Sequence, residues 1–339
     1  MNKKLQRNYL WLALLVLGTI WILARHNRPL PYQTDRGRIF GTFYNITYQS
    51  AENYRAAIEA ELHRFDGSLS PFNDTAVITR INRNEDIVPD TLFTNVFRRS
   101  MEISRETAGA FDITVAPLVN AWGFGFKSGA FPGAAQVDSL LQLTDYRKVH
   151  LTADGKVKKD DPRILLTCSA VAKGYAVDII AQLLRKKGVE NFMVDIGGEV
   201  VTHGQNPTQG PWRIGINKPV DDSLAVNQEL QTVLQLTDAG VATSGNYRNF
   251  YYKDGKKYAH TIDPRTGYPV EHSLLSATVI ARDCMSADAY ATAFMVMGLE
   301  EAEKFANAHP DLDAYFIYSD AEGKLQTYYT KGMEKYLLE

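Results

Sequence analysis

Apolar residues recur at helical spacing in several segments of the chain. Residues 51–65 carry one at every third or fourth position and are predicted to form an amphipathic helix, with Tyr54, Ile58, Leu62 and Phe65 on its apolar face. The same spacing predicts a helix that begins at Asp90 or Thr91 and ends at Gly109. Further helices are predicted over residues 137–143, 173–187, 288–297 and 300–308.

Short runs of β-branched, aromatic and aliphatic residues predict strands over residues 39–48, 192–196, 212–216, 233–236, 249–252, 258–262, 275–281 and 314–318. Asp154-Gly155 and Asp254-Gly255 lie between such runs and predict hairpin turns. The strands follow one another in groups and do not alternate strictly with helices. This order predicts an α+β fold with mixed or antiparallel sheets and flanking helices.

The first thirty residues have the pattern of a membrane signal. Lys3, Lys4 and Arg7 precede an uncharged run of 16 residues, 9–24. We predict an N-terminal signal anchor or transmembrane segment over residues 1–30, and a cleaved signal peptide is the alternative. No cysteine stands directly after the run, which excludes a lipoprotein anchor. Polar residues 31–38 are predicted to be a linker, and residues 39–339 a single catalytic domain.

Composition and charge narrow the class of protein. The 339 residues are 45% hydrophobic and 22% charged, which is typical of a globular protein. The net charge is -2, and residues 1–30 carry +5, so residues 31–339 carry -7. An acidic body argues against nucleic acid as the main partner. Cys168 and Cys284 lack the spacing of a zinc site, and either a disulfide or two buried thiols fits them.

Candidate chemistry concentrates in residues 260–292. His260 and Asp263 lead into a predicted tight turn, Asp-Pro-Arg-Thr-Gly. Asp288 and Thr292 lie four apart in a predicted helix, so their oxygens share one face. Oxygen ligands suit Mg²⁺, which completes its shell with water and substrate phosphate. The pattern favours metal-assisted chemistry on a phosphate ester or anhydride.

Two further segments fit this chemistry. Residues 109–125 combine glycines with aromatic residues, which can form a slot for a flat ring or simply a turn with core aromatics. Residues 169–175 begin a predicted helix, where free N–H groups and Lys173 favour phosphate. Each segment also has a purely structural interpretation: Lys173 as a solvated residue, His260 as a hydrogen-bonded structural histidine, and Asp288 as a helix-terminal carboxylate.

Considered together, these segments resemble the ApbE-like family of FAD:protein FMN transferases, from about Gly41 to about Ile317. Eight separated motifs in one order carry the resemblance. They are Gly41-Thr42, residues 68–82, 109–125 and 169–178, Gly197-Gly198, and residues 243–248, 260–267 and 287–298. The resemblance implies a fold related to the T-fold.

The resemblance also implies a reaction and a site. Family members cleave FAD with Mg²⁺ and attach FMN through a phosphoester to a Thr or Ser of a partner protein, and AMP leaves. By position, Mg²⁺ would be held by the Ala170 carbonyl, Asp288 and Thr292. His260 would be the base for the accepting hydroxyl, with Asp263 nearby. The implied FAD contacts are Phe40, Phe72, Ala110, Phe111, Asp112, Thr167, Lys173 and Thr261. Of these, Phe40, Phe72 and Thr167 stand where Met, Tyr and Asp are common.

Acceptors in this family are exported subunits of membrane redox complexes, such as Na⁺-translocating quinone reductases and related electron-transport proteins. The resemblance and the N-terminal pattern together predict a protein of the bacterial inner membrane, held by one anchor, with its catalytic domain on the periplasmic side. Two other functions stay open. One is a Mg²⁺-dependent FAD pyrophosphatase that releases FMN and AMP, and the other is a non-catalytic flavin-binding membrane protein.

Overall fold

An eight-stranded sheet organises the part of the chain that the computed structural model describes, which is residues 9, 11–19, 29–125, 131–219, 229–246, 250–253 and 256–338. Its strands are β1 (Tyr32–Ile39), β2 (Thr42–Gln49), β5 (Phe192–Ile196), β6 (Glu199–His203), β9 (Gly240–Gly245), β12 (Leu274–Ala281), β13 (Asp313–Ser319) and β14 (Leu325–Tyr329). Their order is β1-β2-β5-β6-β9-β12-β13-β14, and neighbours are antiparallel. Three hairpins complete the strands: β3 (Val149–Leu151) with β4 (Val157–Lys159), β7 (Trp212–Asn217) with β8 (Leu230–Leu236), and β10 (Phe250–Lys253) with β11 (Lys256–Ala259).

Helices pack against the sheet. Residues 11–19 are helical and are labelled α1. The others are α2 (Arg55–Leu69), α3 (Val77–Asn82), α4 (Thr91–Glu106), α5 (Ala116–Ala121), α6 (Ala134–Leu141), α7 (Ala172–Lys186), α8 (Cys284–Met297) and α9 (Leu299–Ala308), with 3₁₀ turns at Tyr146–Lys148 and Lys331–Tyr336. Three of the helices, α7, α8 and α9, contact strands of the sheet directly. The β7–β8 hairpin packs on the sheet through a second core that includes Val241, Leu236 and Tyr315.

Helix α8 has apolar residues on all sides, and the fold buries it on all sides. It contacts β9, β12, α7 and α9, and most of its side chains are excluded from solvent. Asp288 is the only charged residue in its sequence, and it is 5% exposed. A lone carboxylate in such a helix is costly unless it has partners, so its surroundings indicate what it does.

Contacts between α7 and α8 fix the position of Asp288. A Cβ atom on Gly174 would lie 2.2 Å from the carbonyl oxygen of Cys284, so only glycine permits this approach of the two helices. Asp178 of α7 accepts hydrogen bonds from the backbone N–H groups of Cys284 (3.0 Å) and Met285 (2.8 Å). The first turn of α8 is thereby capped from the neighbouring helix.

The α+β class, the antiparallel pairing and the main helices are as predicted. The predicted strand over residues 39–48 corresponds to β2, which begins only at Thr42, after a turn at Phe40 and Gly41. Residues 31–38 are not a linker, because Tyr32–Ile39 forms β1 and pairs along its whole length with β2. Asp35 is the one fully buried residue of β1, so the strand lacks apolar alternation. The hairpin predicted at Asp154-Gly155 is β3–β4. Asp254-Gly255 lies outside the described residues.

The N-terminal prediction falls largely outside the described residues, which omit 1–8, 10 and 20–28. Within the described part, no helix combines the length and apolarity needed to cross a bilayer. Cys168 and Cys284 are both free and buried. The structure therefore has two buried thiols and no bond between them.

Candidate active site

One cleft of about 1300 Å³ gathers most of the residues that the sequence singles out. It lies where the segment after α2, the segment from residue 110 to residue 125, the beginning of α7, the β5–β6 turn, residues 260–264 and α8 converge. The predicted site residues that line it are Phe72, Ala110, Phe111, Asp112, Thr167, Ala170, Lys173, His260, Thr261, Asp288 and Thr292. Phe40 and Asp263 do not line it.

The predicted metal ligands lie close together in the fold. Asp288 and Thr292 are one turn apart on α8, and Ala170 belongs to the segment that leads into α7. The Asp288 Oδ2 atom accepts a hydrogen bond from the Gly174 N–H at 3.1 Å. No group of three or more His, Cys, Asp or Glu residues suited to a metal ion occurs in the described ranges. The predicted ligand set is of another kind, with one carboxylate, one hydroxyl and one backbone carbonyl.

Glu199 is a cleft residue that sequence reasoning did not select. It is the first residue of β6, is 3% exposed, and accepts a hydrogen bond from the ammonium of Lys173. Lys173 Nζ also lies 3.9 Å from Asp288 Oδ1. The available signal was a single acid directly after Gly197-Gly198 and before the apolar pair Val200-Val201. Lys173 therefore lies between two buried carboxylates.

Burial and charge shift the pKa values of this cluster. Burial raises the pKa of Glu199, and the positive charge of Lys173 offsets part of that shift. Burial alone would lower the pKa of Lys173, but the negative charges of Asp288 and Glu199 outweigh it and raise that pKa. The lysine therefore stays an ammonium ion wherever the two carboxylates are ionised.

Apolar side chains form another wall of the cleft. Phe111 and Ala110 are buried there, and Val119 and Phe124 also line the cavity. Phe72 is 80% exposed at the edge. Phe40 lies elsewhere: its ring packs against Phe65 at 5.3 Å between centroids, on a backbone with a φ of +53°. The wall offers a flat ring a mostly apolar surface.

The Asp112 carboxylate accepts hydrogen bonds from neighbouring protein groups. Its Oδ1 accepts from the Thr114 N–H (2.7 Å) and hydroxyl (2.6 Å), and its Oδ2 accepts from the Tyr146 N–H (2.7 Å). Burial raises the pKa of Asp112 to about 6, against the opposing effect of these hydrogen bonds. The carboxylate joins the 110–114 loop to the segment before β3. Thr167, whose N–H donates to the Ile113 carbonyl at 2.7 Å, ties the same loop to the approach to α7.

His260 follows β11 and faces the cleft from a tight turn. It is half-buried, and its ring centroid lies 6.3 Å from that of Phe124. Next to it, the Thr261 hydroxyl donates to Asn246 Oδ1 at 2.6 Å. Asp263 serves the turn: its Oδ1 accepts from the Arg265 N–H at 2.8 Å, and its carboxylate pairs with the Arg265 guanidinium. The turn fixes the backbone beside His260, while the Asp263 carboxylate lies outside the cleft lining.

Two relatives of the chain carry the same name. An FAD:protein FMN transferase of Vibrio cholerae serotype O1 is 34% identical over 308 residues, which cover 87% of this chain and 90% of the relative. An FAD:protein FMN transferase of Escherichia coli K12 is 33% identical over 330 residues, which cover 91% and 92%. The sequence model of the ApbE family matches residues 40–316. The chain belongs to the ApbE family.

Solved structures with ApbE in their names have the same fold. The flavin transferase ApbE from Vibrio cholerae matches with a TM-score of 0.82 at 32% identity, over 91% of this chain and 100% of that chain. The apo form of the flavinyl transferase ApbE from Pseudomonas stutzeri matches with a TM-score of 0.81 at 29% identity, over 91% and 98%. The predicted resemblance is thus confirmed, and the ApbE match contains every residue of the cleft described above.

Proposed function

We propose that this ApbE-family chain is an FAD:protein FMN transferase. The observation that carries the proposal is the convergence, in one cleft, of an apolar wall, Lys173 between two buried carboxylates, and His260. The cavity of about 1300 Å³ exceeds the roughly 300–1,000 Å³ usual for small-ligand pockets, which suits a dinucleotide. The apolar wall would take the flavin ring, and Lys173 the diphosphate.

The residues present fit the divalent cation that this function implies. Asp288 is buried, and its Oδ1 has only the distant Lys173 ammonium as a neighbour of opposite charge in the described structure. Asp288, Thr292 and the Ala170 carbonyl would hold Mg²⁺, since all three offer oxygen. When bound, Mg²⁺ offsets negative charge on the diphosphate and on the leaving phosphate.

In this function, His260 prepares the nucleophile. A threonine hydroxyl is a weak nucleophile and must lose its proton to a positioned base. A ring nitrogen of His260 takes that proton, the hydroxyl oxygen forms a bond to the FMN phosphorus, and the bond from this phosphorus to the oxygen of AMP breaks. Lys173 holds the diphosphate in place, and the apolar wall keeps the flavin ring oriented.

The direct test is an acceptor assay. The protein is incubated with FAD, Mg²⁺ and an exported redox domain, and in parallel with the same domain whose accepting Thr is replaced by Val. We expect a covalent yellow product with FMN on the Thr, one AMP for each FMN, and no product from the Val domain. Free FMN with an unmodified acceptor would point to an FAD pyrophosphatase, and FAD binding without AMP to a flavin-binding protein.

The same assay tests His260. Because a general base contributes about 10²–10⁴-fold, His260→Ala should slow transfer by that factor and leave FAD binding largely intact. Transfer at the normal rate in this variant would remove the role assigned to His260.

We also propose that residues 1–30 anchor the protein in the bacterial inner membrane, with the catalytic domain and its redox acceptors on the periplasmic side. Support comes from the sequence alone, since Lys3, Lys4 and Arg7 precede the apolar run and basic residues favour the cytoplasmic side. Protease added to spheroplasts should digest the catalytic domain. Digestion only after lysis would reverse this topology.

A further inference from the structure

Glu199 occupies its position because of the turn before it. Gly197 and Gly198 have φ values of +70° and +101°, and they connect β5 to β6 so that Ile196 pairs with Glu199. A Cβ atom on Gly197 would lie 2.9 Å from the Thr42 side chain, so the turn needs glycine there. The turn directs a carboxylate into the cleft beside the beginning of α7.

The Glu199 carboxylate is only half satisfied. Its Oε1 accepts from Lys173, but its Oε2 is buried and has no hydrogen-bond partner among the residues that the structure describes. The Asp288 carboxylate is also only partly hydrogen-bonded. Its Oδ2 accepts from the Gly174 N–H, and its Oδ1 lies 3.9 Å from Lys173 Nζ. A buried acceptor without a donor is destabilising, and more so when it is charged.

The charges in this cluster do not balance. Glu199 is 3% exposed and Asp288 is 5% exposed, and Lys173 is the only cation paired with either of them in the described structure. With both carboxylates ionised, the cluster carries one negative charge in excess. Such a site attracts a cation, because a buried charge left unpaired is strongly unfavourable.

We propose that Glu199 and Asp288 form one acidic pair, and that a divalent cation competes with the Lys173 ammonium for it. The inference rests on the proposed function only in assuming that this site uses a divalent cation. The cation neutralises the two carboxylates, so the pair no longer attracts the Lys173 ammonium. The ammonium is then free to contact an anionic diphosphate in the cleft. Glu199 is thus a positioning residue, since it holds Lys173 until the cation arrives.

The first test measures Mg²⁺ binding to the full chain by calorimetry, without FAD. Glu199→Gln should weaken binding about 10- to 100-fold, as expected for loss of a residue that supports a metal site. Lys173→Met should instead tighten binding about tenfold or more, because the competing charge is gone. A Lys173→Met variant with unchanged or weaker binding would overturn the competition. Normal binding by Glu199→Gln would remove Glu199 from the pair.

A matched control is available in the same chain. Lys218, the residue after β7, forms an ion pair with Glu229, the residue before β8, and neither lines the cleft. Lys218→Met and Glu229→Gln make the same chemical changes and should leave Mg²⁺ affinity unchanged. Glu199→Asp, which restores the negative charge, should recover part of the affinity that Glu199→Gln loses.

A second test needs no variant and avoids the loss of folding that removal of a buried partner can cause. The wild-type chain is treated with an amine-acylating reagent with and without Mg²⁺, and modification of Lys173 is measured by mass spectrometry. We expect modification of Lys173 to rise with Mg²⁺ and that of Lys218 to stay constant. Equal or lower modification of Lys173 would contradict its release from the pair.

The outcomes separate this inference from the proposed function. A chain that releases Lys173 on binding Mg²⁺ but does not flavinylate any acceptor would retain the acidic pair and reject FMN transfer. A chain that transfers FMN, but whose Lys173 is modified equally with and without Mg²⁺, would support the proposed function and reject the competition between Mg²⁺ and Lys173.

Discussion

Asp112 and Glu199 both line the cleft, and burial raises the pKa of both. Their partners differ. Asp112 accepts three hydrogen bonds from neutral donors of Thr114 and Tyr146. Glu199 accepts from Lys173 and has an oxygen without a partner in the described structure. The comparison teaches that burial alone does not separate a structural carboxylate from a ligand-binding one. The two carboxylates differ in the number of acceptor positions that protein donors leave open.

Asp288 resembles Glu199, because it is buried and its Oδ1 has only the Lys173 ammonium nearby in the described structure. Replacing Asp288 should have the largest effect on the rate of FMN transfer. Asp288→Ala should lower the rate of FMN transfer about 10³-fold, because a metal contributes several kcal/mol of charge stabilisation. Thermal unfolding without metal should change little, since Lys173 and Glu199 then balance each other. The measurement is the acceptor assay over a Mg²⁺ titration.

Ser286→Ala is the control for Asp288→Ala. Ser286 is also buried in α8, accepts a hydrogen bond from Arg99 at 2.9 Å, and does not line the cleft. The Ser286→Ala variant should keep the wild-type rate of FMN transfer and its dependence on Mg²⁺. An Asp288→Ala variant whose Mg²⁺ titration matched that of Ser286→Ala would break the grouping of Asp288 with Glu199.

Asp112 should show the opposite pattern, with a loss of stability. Asp112→Ala leaves the Thr114 N–H, the Thr114 hydroxyl and the Tyr146 N–H without their acceptor. We expect the free energy of unfolding to fall by about 2–4 kcal/mol, measured by urea denaturation. Mg²⁺ affinity should not change. Asp112→Asn keeps one acceptor oxygen and should lose less. A stable Asp112→Ala variant with weak Mg²⁺ binding would reverse the comparison.

The pKa of Asp112 gives a smaller effect with a definite sign. Its pKa is about 6 in the folded protein and 3.8 in its ordinary state, so folding favours the protonated form. This contribution to stability is fully present below the ordinary value and is lost as the pH rises through about 6. Relative to Asp112→Asn, the wild type should therefore lose about 1–3 kcal/mol between pH 4 and pH 7. A wild type that gained stability relative to Asp112→Asn as the pH rises would contradict the shift.

Much of the fold was predictable because apolar spacing reports burial directly. The face of α2 with Ile58, Leu62 and Phe65 is buried as its periodicity indicates. Strand β1 was not predictable in this way. Its hydrogen bonds to β2 form it, and its most buried residue is Asp35, which accepts from the Tyr48 hydroxyl at 2.8 Å. Pairing between strands leaves little trace in the composition of an edge strand.

In the site too, residues placed by local helical spacing were predictable, and residues placed by long-range contacts were not. Asp288 and Thr292 were visible because four residues of helix place their oxygens on one face. Glu199 was not, since its contact with Lys173 joins residues 26 apart through the β5–β6 turn and the beginning of α7. For Phe40, the resemblance indicated the sequence position but not the orientation of the side chain. Its ring packs on Phe65 and does not line the cleft.

Asp263 should give the smallest effect and extends the comparison to a third carboxylate. It is saturated by Arg265, which donates from both its backbone and its guanidinium, and the same guanidinium also reaches Glu301 at 3.1 Å. Asp263→Ala should therefore cost about 1 kcal/mol of stability and lower the transfer rate less than His260→Ala does. Asp263→Asn, which keeps an acceptor for the Arg265 N–H, is the control. A loss of rate equal to that of His260→Ala, with normal stability, would place Asp263 among the residues that act on the substrate. Saturation by protein donors would then no longer identify a structural carboxylate.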